Sequence, residues 1–346
     1  MQIGLFNGFV LADASQRPED VMAMTKEMVR RADEMGFDTA WFVEHHFSAF
    51  SLCASPVLMA MHCAGYTKRI RLGTGVIVLP LHHPLRVVEE IAMLDQASGG
   101  RAVVGIGTGH QPHEFRSMGV GMDERMDRLF EGWDILRASW RDGRIAHRGK
   151  YYDIPETVFA VRPVGNRVPE LFVATHDTRV MARGARDGAV VFISPGPRKL
   201  EQAIAARAEV MAAAVGAGVA EADVKLGVQR YCFVTDNKAV ARRAAEQMVH
   251  FMRRMRILRD EYPPRRGIHF ESVPFPGEPS ADWLLENAAI GDAETVAARL
   301  LPDIPALRPH HLSIYMGYSW LPAREVLRSL DLFGAHVLPR LRAAGR

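Results

Sequence analysis

Cys53, Cys63 and Cys232 are the only cysteines in 346 residues; their odd number and the lack of any CxxC spacing exclude a disulfide framework and a zinc ribbon. Long hydrophobic runs are missing too. No stretch approaches the roughly 20 apolar residues that span a bilayer, and Met1-Gln2-Ile3-Gly4 opens into a strand pattern without a basic, cleavable leader. A cytoplasmic protein without membrane partners is the expectation. Charge of one sign is also scarce. The net charge is +3, and the basic residues are interspersed with acidic ones apart from short clusters such as Arg253-Arg254 and Arg265-Arg266. The concentrated basic face of a nucleic-acid binder is therefore not expected. No internal repeat, low-complexity tail or domain boundary interrupts the chain, which predicts one domain over residues 1–346.

What is present is an alternation of short β-branched, apolar runs with amphipathic stretches. The runs are eight: residues 3–7, 39–43, 70–79, 102–107, 171–174, 189–194, 227–234 and 312–317. Between them, Val21, Met24, Met28 and Met35 keep one helical face, as do Val240, Ala244, Met248, Phe251, Met255 and Leu258. Eight strand–helix units predict an α/β fold, a (β/α)8 TIM barrel; an open doubly wound sheet is the runner-up. Two insertions extend it. The one after strand 4, about 109–169, holds a helix near 123–141 and a hairpin around Gly149-Lys150-Tyr151-Tyr152. The one after strand 7, about 261–288, carries Pro263-Pro264, Pro274, Pro276, Gly277 and Pro279 and is expected to be an irregular, mobile active-site loop.

Polar chemistry gathers where the apolar runs end. His45, His46, His82, His83, His110, His113 and His176, half of the 14 histidines, lie just beyond such runs, and Glu44-His45-His46-Phe47 puts a carboxylate and two imidazoles at the end of strand 2. In a parallel α/β fold that is where ligands bind. A metal centre is not expected. Barrel hydrolases carry HxH after strand 1 and an aspartate after the last strand, whereas Asn7-Gly8-Phe9 and Gly317-Tyr318-Ser319 stand there, and adjacent histidines point apart. Gly105-Ile106-Gly107-Thr108-Gly109 follows a strand, but His110 occupies the last glycine of a dinucleotide fingerprint. Either a tight turn or a close backbone approach to a ligand explains it. Thr175-His176-Asp177-Thr178-Arg179 opens a helix, reading either as an ordinary N-cap or as an anion site.

Taken together, residues 36–47, Gly73-Thr74-Gly75-Val76-Ile77-Val78-Leu79-Pro80, His83-Pro84, and Leu94-Asp95-Gln96-Ala97-Ser98-Gly99-Gly100-Arg101 resemble the bacterial luciferase-like flavin-dependent monooxygenases. Gly149-Lys150-Tyr151-Tyr152, the helix opening at Gly291-Asp292-Ala293-Glu294, and Leu332-Phe333 near the end extend the resemblance over nearly the whole chain. It implies a TIM barrel that takes reduced FMN from a separate NAD(P)H:flavin reductase, reacts it with O2 to a flavin hydroperoxide, and oxidises a small apolar aldehyde, ketone or similar molecule. It implies His45 as the catalytic histidine and a non-proline cis peptide at Gly75-Val76. Cofactor contacts are expected from Gly75, Val76, Thr108, Ala174, Thr175, His176, Thr178 and Arg179, and substrate contacts from Phe9, His110 and Tyr315. His46 and Glu89 resemble a pair at the subunit interface of a homodimer.

The phosphate clamp departs from the family pattern. Luciferase has arginine at the place of Thr108 and serine at that of His176, so Arg179 is expected to supply the positive charge. Its cysteine beside the flavin is Gly107 here, and light emission is not implied. Two alternatives stay open: a deazaflavin-dependent hydride-transfer enzyme and a non-catalytic flavin-binding subunit.

Overall fold

The structure is a computed structural model that describes residues 1–13, 15–196, 199–261, 267–269 and 271–345. Its strands are β1 (Gln2–Asn7), β2 (Thr39–Phe42), β3 (Arg71–Thr74), β4 (Ile77–Val78), β5 (Ala102–Gly107), β6 (Arg144–Arg148), β7 (Asp153–Val158), β8 (Leu171–Ala174), β9 (Val190–Ile193), β10 (Lys225–Val234), β11 (Ala289–Gly291) and β12 (His311–Tyr315). Neighbours run β1-β2-β3-β5-β8-β9-β10-β12, all parallel, and β12 pairs back onto β1. The expected (β/α)8 barrel is closed; the open sheet is not formed.

One expected strand is corrected, and a short strand and a helix are added. The run 70–79 is two strands: Gly73 pairs with Val103 but Ile77 with Ile106, so one extra residue bulges out between β3 and β4. The cis peptide Gly75-Val76 lies in that bulge. A short strand that composition did not reveal, β11, pairs with the end of β10 at Cys232↔Ala289. The proline-rich insertion also contains a helix, Ala281–Asn287, whose N-cap Ser280 accepts from the Trp283 amide. Residues 262–266 and 270 of that insertion, Pro263-Pro264 among them, lie outside the described residues. The hairpin after strand 4 is β6–β7, and the helix before it is Arg125–Asp142.

Helices cover the outside because their apolar faces match the outward residues of the strands. Pro18–Met35 begins with proline in its first turn, buries Val21, Met24, Met28, Val29 and Ala32, and ends at Gly36, whose φ of 83° only glycine adopts freely. Burying each of the larger side chains is worth about 2 kcal/mol. Lys238–Asp260 buries Val240, Ala244, Met248 and Leu258, while Met255, expected on the same face, is exposed. Among the described residues no helix is long and apolar enough to cross a membrane.

The lower half of the barrel is plugged. Trp41 fills it, donating from Nε1 to His311 Nε2 at 2.9 Å and meeting the Phe172 ring edge-on at 4.6 Å. Burial pushes the His311 pKa down to about 3, so the ring is neutral and able to accept. Glycine makes room: a Cβ on Gly73 would lie 2.5 Å from Trp41 Cε3, and one on Gly4 would lie 2.6 Å from Trp41 Nε1. Bound molecules are thereby confined to the upper end, where the strands finish in small residues.

Candidate active site

Two buried carboxylates organise the upper rim. Glu44, one residue beyond Val43 at the end of β2, is 1% exposed. Its Oε1 accepts from His46 Nε2 at 3.0 Å and His82 Nε2 at 2.8 Å, and its Oε2 from the Val78 amide at 3.0 Å. Burial opposes its charge, yet the bonds from His46 and His82 prevail and hold its pKa at about 2. The same pairing raises the pKa of His82 against the effect of burial. His82 and Val78 flank the bulged strand, so Glu44 ties the end of β2 to the end of β4.

The second carboxylate, Glu114, reaches the site from helix Pro112–Met118, which follows β5. Its Oε1 accepts from the His46 amide at 2.8 Å and lies 3.2 Å from His45 Nδ1. The Gln111 amide nitrogen is 2.9 Å from the same Nδ1. That nitrogen accepts from Gln111 when bare and donates to Glu114 when it carries a proton, so both states of the His45 ring are supported. Burial disfavours the Glu114 charge, but the His45 and His46 bonds outweigh it and lower its pKa. Glu114 Oε2 and Gln111 Oε1 are buried without a hydrogen-bond partner.

His110 stands beside them, its ring perpendicular to that of His45 at 5.8 Å. Its side chain is exposed, while the atoms packed around it disfavour a charge on the ring. That crowding, with His45 and His176 nearby, pushes its pKa down to about 4. From His45 a run of rings leads inward: Phe50 at 5.0 Å, then Phe251 stacked on Phe50 at 5.4 Å, then Tyr315 at 5.4 Å from Phe251. Tyr315 points into the barrel against Phe6 and Tyr231, and its buried hydroxyl has no hydrogen-bond partner.

The floor under this wall is made of the smallest residues. A Cβ on Gly107 would lie 2.8 Å from Val76 Cγ2, and one on Gly75 would lie 3.1 Å from Phe6. Gly105 admits no side chain, because a Cβ there would fall 2.1 Å from the Thr74 carbonyl oxygen. Thr74 Oγ1 both donates to the Gly105 carbonyl and accepts its amide, each at 2.9 Å, which locks the bulge to β5. Ala174 closes the floor at the end of β8, paired with Gly107. Val76, Phe6 and the Thr74 carbonyl pack directly onto these glycines, so the strands can approach each other here only without side chains at those positions.

Beyond Ala174, Thr175 Oγ1 accepts from the Asp177 amide at 2.8 Å, and Asp177 caps helix Thr178–Arg186 by accepting from the Arg179 amide. His176, Thr178 and Arg179 are exposed at that helix start, and Thr108 is half-buried across from them. Arg179 is paired with its neighbour Asp177 at 2.7 Å. An incoming phosphate would have to share that guanidinium with Asp177.

Several expected residues sit elsewhere. Phe9, expected at the substrate pocket, is buried in the core with its ring 6.3 Å from that of Phe42, at a backbone φ of 53°. His46, expected at a subunit interface, is buried on Glu44, and Glu89 alone of that pair is exposed. Glu114, Gln111, Phe50 and Phe251 were not singled out from the sequence. Among the described residues no three His, Cys, Asp or Glu side chains are grouped to hold a metal ion.

Comparison with known proteins agrees with this geometry. Residues 1–302 match the model of the luciferase-like monooxygenase family. An uncharacterized protein of Sinorhizobium fredii is 32% identical over 97% of both chains. The oxygenase component of the flavin-dependent trigonelline monooxygenase of Acinetobacter baylyi is 30% identical over 56% of this chain, which spans about half (54%) of that relative. Among solved structures, the oxygenating constituent of 3,6-diketocamphane monooxygenase from Pseudomonas putida, in complex with FMN, superposes with a TM-score of 0.78 at 20% identity over 98% of both chains. An F420-dependent secondary alcohol dehydrogenase has the same fold, with a TM-score of 0.72 at 18% identity over 99% of both chains. The chain belongs to the luciferase-like monooxygenase family.

Proposed function

We propose that this chain is the oxygenase component of a two-component, FMN-dependent monooxygenase that oxidises a small apolar organic molecule with O2. The observation that carries the reading is His45, held by Gln111 and Glu114 at the rim of a floor made by Gly75, Val76, Gly107 and Ala174. FMN, bound in its reduced form, supplies the electrons that activate O2. The polypeptide does the rest. The ring would lie at the strand ends beside Gly75, Val76, Gly107 and Ala174, and Thr108, Thr175, His176, Thr178 and Arg179 would surround its phosphate at the helix start. Gln111 and Glu114 hold His45 Nδ1 from two sides, which fixes the ring and leaves Nε2 to exchange a proton with the bound molecule. His110, neutral at working pH, adds no charge to the apolar mouth. Phe50, Phe251 and Tyr315 exclude water and receive the substrate, with the Tyr315 hydroxyl placed to meet one polar atom of it.

A separate NAD(P)H:flavin reductase supplies the reduced flavin. The proposed homodimer uses helix Pro84–Ala97, where Glu89 and Met93 are exposed, and the neighbouring helix Pro56–Ala64, where Leu58 is 71% exposed. An apolar face of this kind is the usual mark of a contact surface. The test is oxygen uptake by the purified chain with FMN, NADH, a flavin reductase and a panel of ketones and aldehydes. Substrate-dependent uptake supports the proposal. Anaerobic hydride transfer to a deazaflavin without oxygen uptake would replace it with the alternative chemistry of the same fold.

A further inference from the structure

A cavity of about 360 Å3 lies against helix Lys238–Asp260. Arg243, Gln247, His250 and Arg254 line it from that helix, with Ser272 and Trp320 opposite. Arg254 is its centre. The guanidinium is only 5% exposed, stacks on the Trp320 ring at 4.1 Å, and donates to the carbonyls of Leu11, at 3.1 Å, and Ala12, at 2.5 Å. Among the described residues no carboxylate forms an ion pair with it. A buried cation whose hydrogen bonds go to neutral carbonyls, with Asp13 acting on it only through its charge, is costly and attracts an anion. Gln247, 7% exposed in the wall of the same cavity, keeps its Oε1 without a hydrogen-bond partner. Its amide can turn to offer either the oxygen or the nitrogen to a ligand. Arg243 is a further exposed cation without an ion-pair partner among the described residues, and Glu246 is the one acidic residue of the lining. Two cations therefore face one anion, beside an indole and an imidazole 6.1 Å apart.

We infer that this cavity is a binding site for a small organic carboxylate with an aromatic body. Its acid group meets Arg254, Arg243 and the Gln247 amide, and its ring lies beside Trp320. The volume suits a one- or two-ring acid, at the lower end of the range for small-molecule sites. Phe251, next in the chain to His250, belongs to the run of rings leading to His45 and not to the lining of this cavity, so the site is separate from that run. It stands whether or not the barrel takes FMN.

The test is calorimetric titration of the full chain with sodium 2-naphthoate and with the uncharged 2-naphthylmethanol, in excess FMN so that a flavin pocket is occupied. The expected result is saturable binding of one naphthoate per chain, at least about tenfold tighter than the alcohol, the difference one set of charge-assisted hydrogen bonds makes. Arg243→Glu, at an exposed position, and Gln247→Leu, close in volume, should each weaken naphthoate several-fold and leave the alcohol unchanged. Absence of saturable binding, equal affinity for acid and alcohol, or naphthoate binding indifferent to both substitutions would each overturn the inference.

Discussion

The two rims of the barrel both bury carboxylates, but they spend them differently. At the lower rim, Asp33 accepts three consecutive amides, Lys68 at 2.9 Å, Arg69 at 2.9 Å and Ile70 at 2.7 Å, and so fixes the entry to β3. Asp95, fully buried, accepts from the amides of Ala102 and Val164 and pairs with Arg167 at 2.5 Å. Backbone amides and arginines cannot change protonation, so these sites only hold strands in register. At the upper rim the partners of Glu44 and Glu114 are imidazoles, and Glu114 Oε2, Gln111 Oε1 and the Tyr315 hydroxyl are left without partners. Groups that titrate, next to atoms with unused hydrogen-bonding capacity, mark the end that meets a ligand.

Substitutions at the two rims should therefore separate activity from stability. The largest effect is expected from His45→Ala: substrate-dependent oxygen uptake should fall by about a thousandfold, in the range for loss of a proton-transferring group, while the melting temperature barely changes. Glu44→Gln should instead cost stability, roughly 3 kcal/mol, because a carboxylate whose pKa drops from 4.5 to about 2 stabilises the fold only while ionised. That contribution is complete above about pH 4.5 and disappears as the pH falls through about 2. Denaturant curves for wild type and variant should accordingly converge on acidification. Asp33→Asn, at the lower rim, should cost about 2 kcal/mol in the same assay with turnover per folded molecule unchanged; a selective loss of turnover there would erase the contrast. Arg179→Ala should have the smallest effect, a weakening of FMN affinity of about threefold to tenfold that fades with added salt, since the side chain is exposed and shared with Asp177. Unchanged affinity would remove Arg179 from the phosphate site.

The barrel itself was legible because each strand is a short apolar run between helical periodicities, and residues such as Ile3, Leu5, Leu72 and Ile106 report their own burial. The break in strand 3 was only hinted at. Glycines inside the run from 70 to 79 allow a bulge, but nothing in the sequence says that Thr74 will turn to bond Gly105. β11 escaped notice because three residues, Ala289-Ile290-Gly291, form a strand only against β10. Among site residues, His45 stood out at a strand end, whereas Glu114 is 69 positions away and becomes its partner only after the barrel closes. The left-handed backbone of Phe9, with its ring 6.3 Å from that of Phe42, was not legible in an aromatic residue just past β1. Composition reports burial, but the direction of a loop side chain depends on dihedral angles that composition does not encode.

The floor of small residues is the feature on which the functional reading turns, and equilibrium FMN binding to Ala174→Leu probes it most directly. Wild-type protein should quench FMN fluorescence to a saturable endpoint of one flavin per chain, and the variant, with a branched side chain raised at the end of β8, should bind none at the same concentrations while melting within a few degrees of wild type. Equal flavin affinity in the two proteins, or no saturable binding by the wild type, would contradict it.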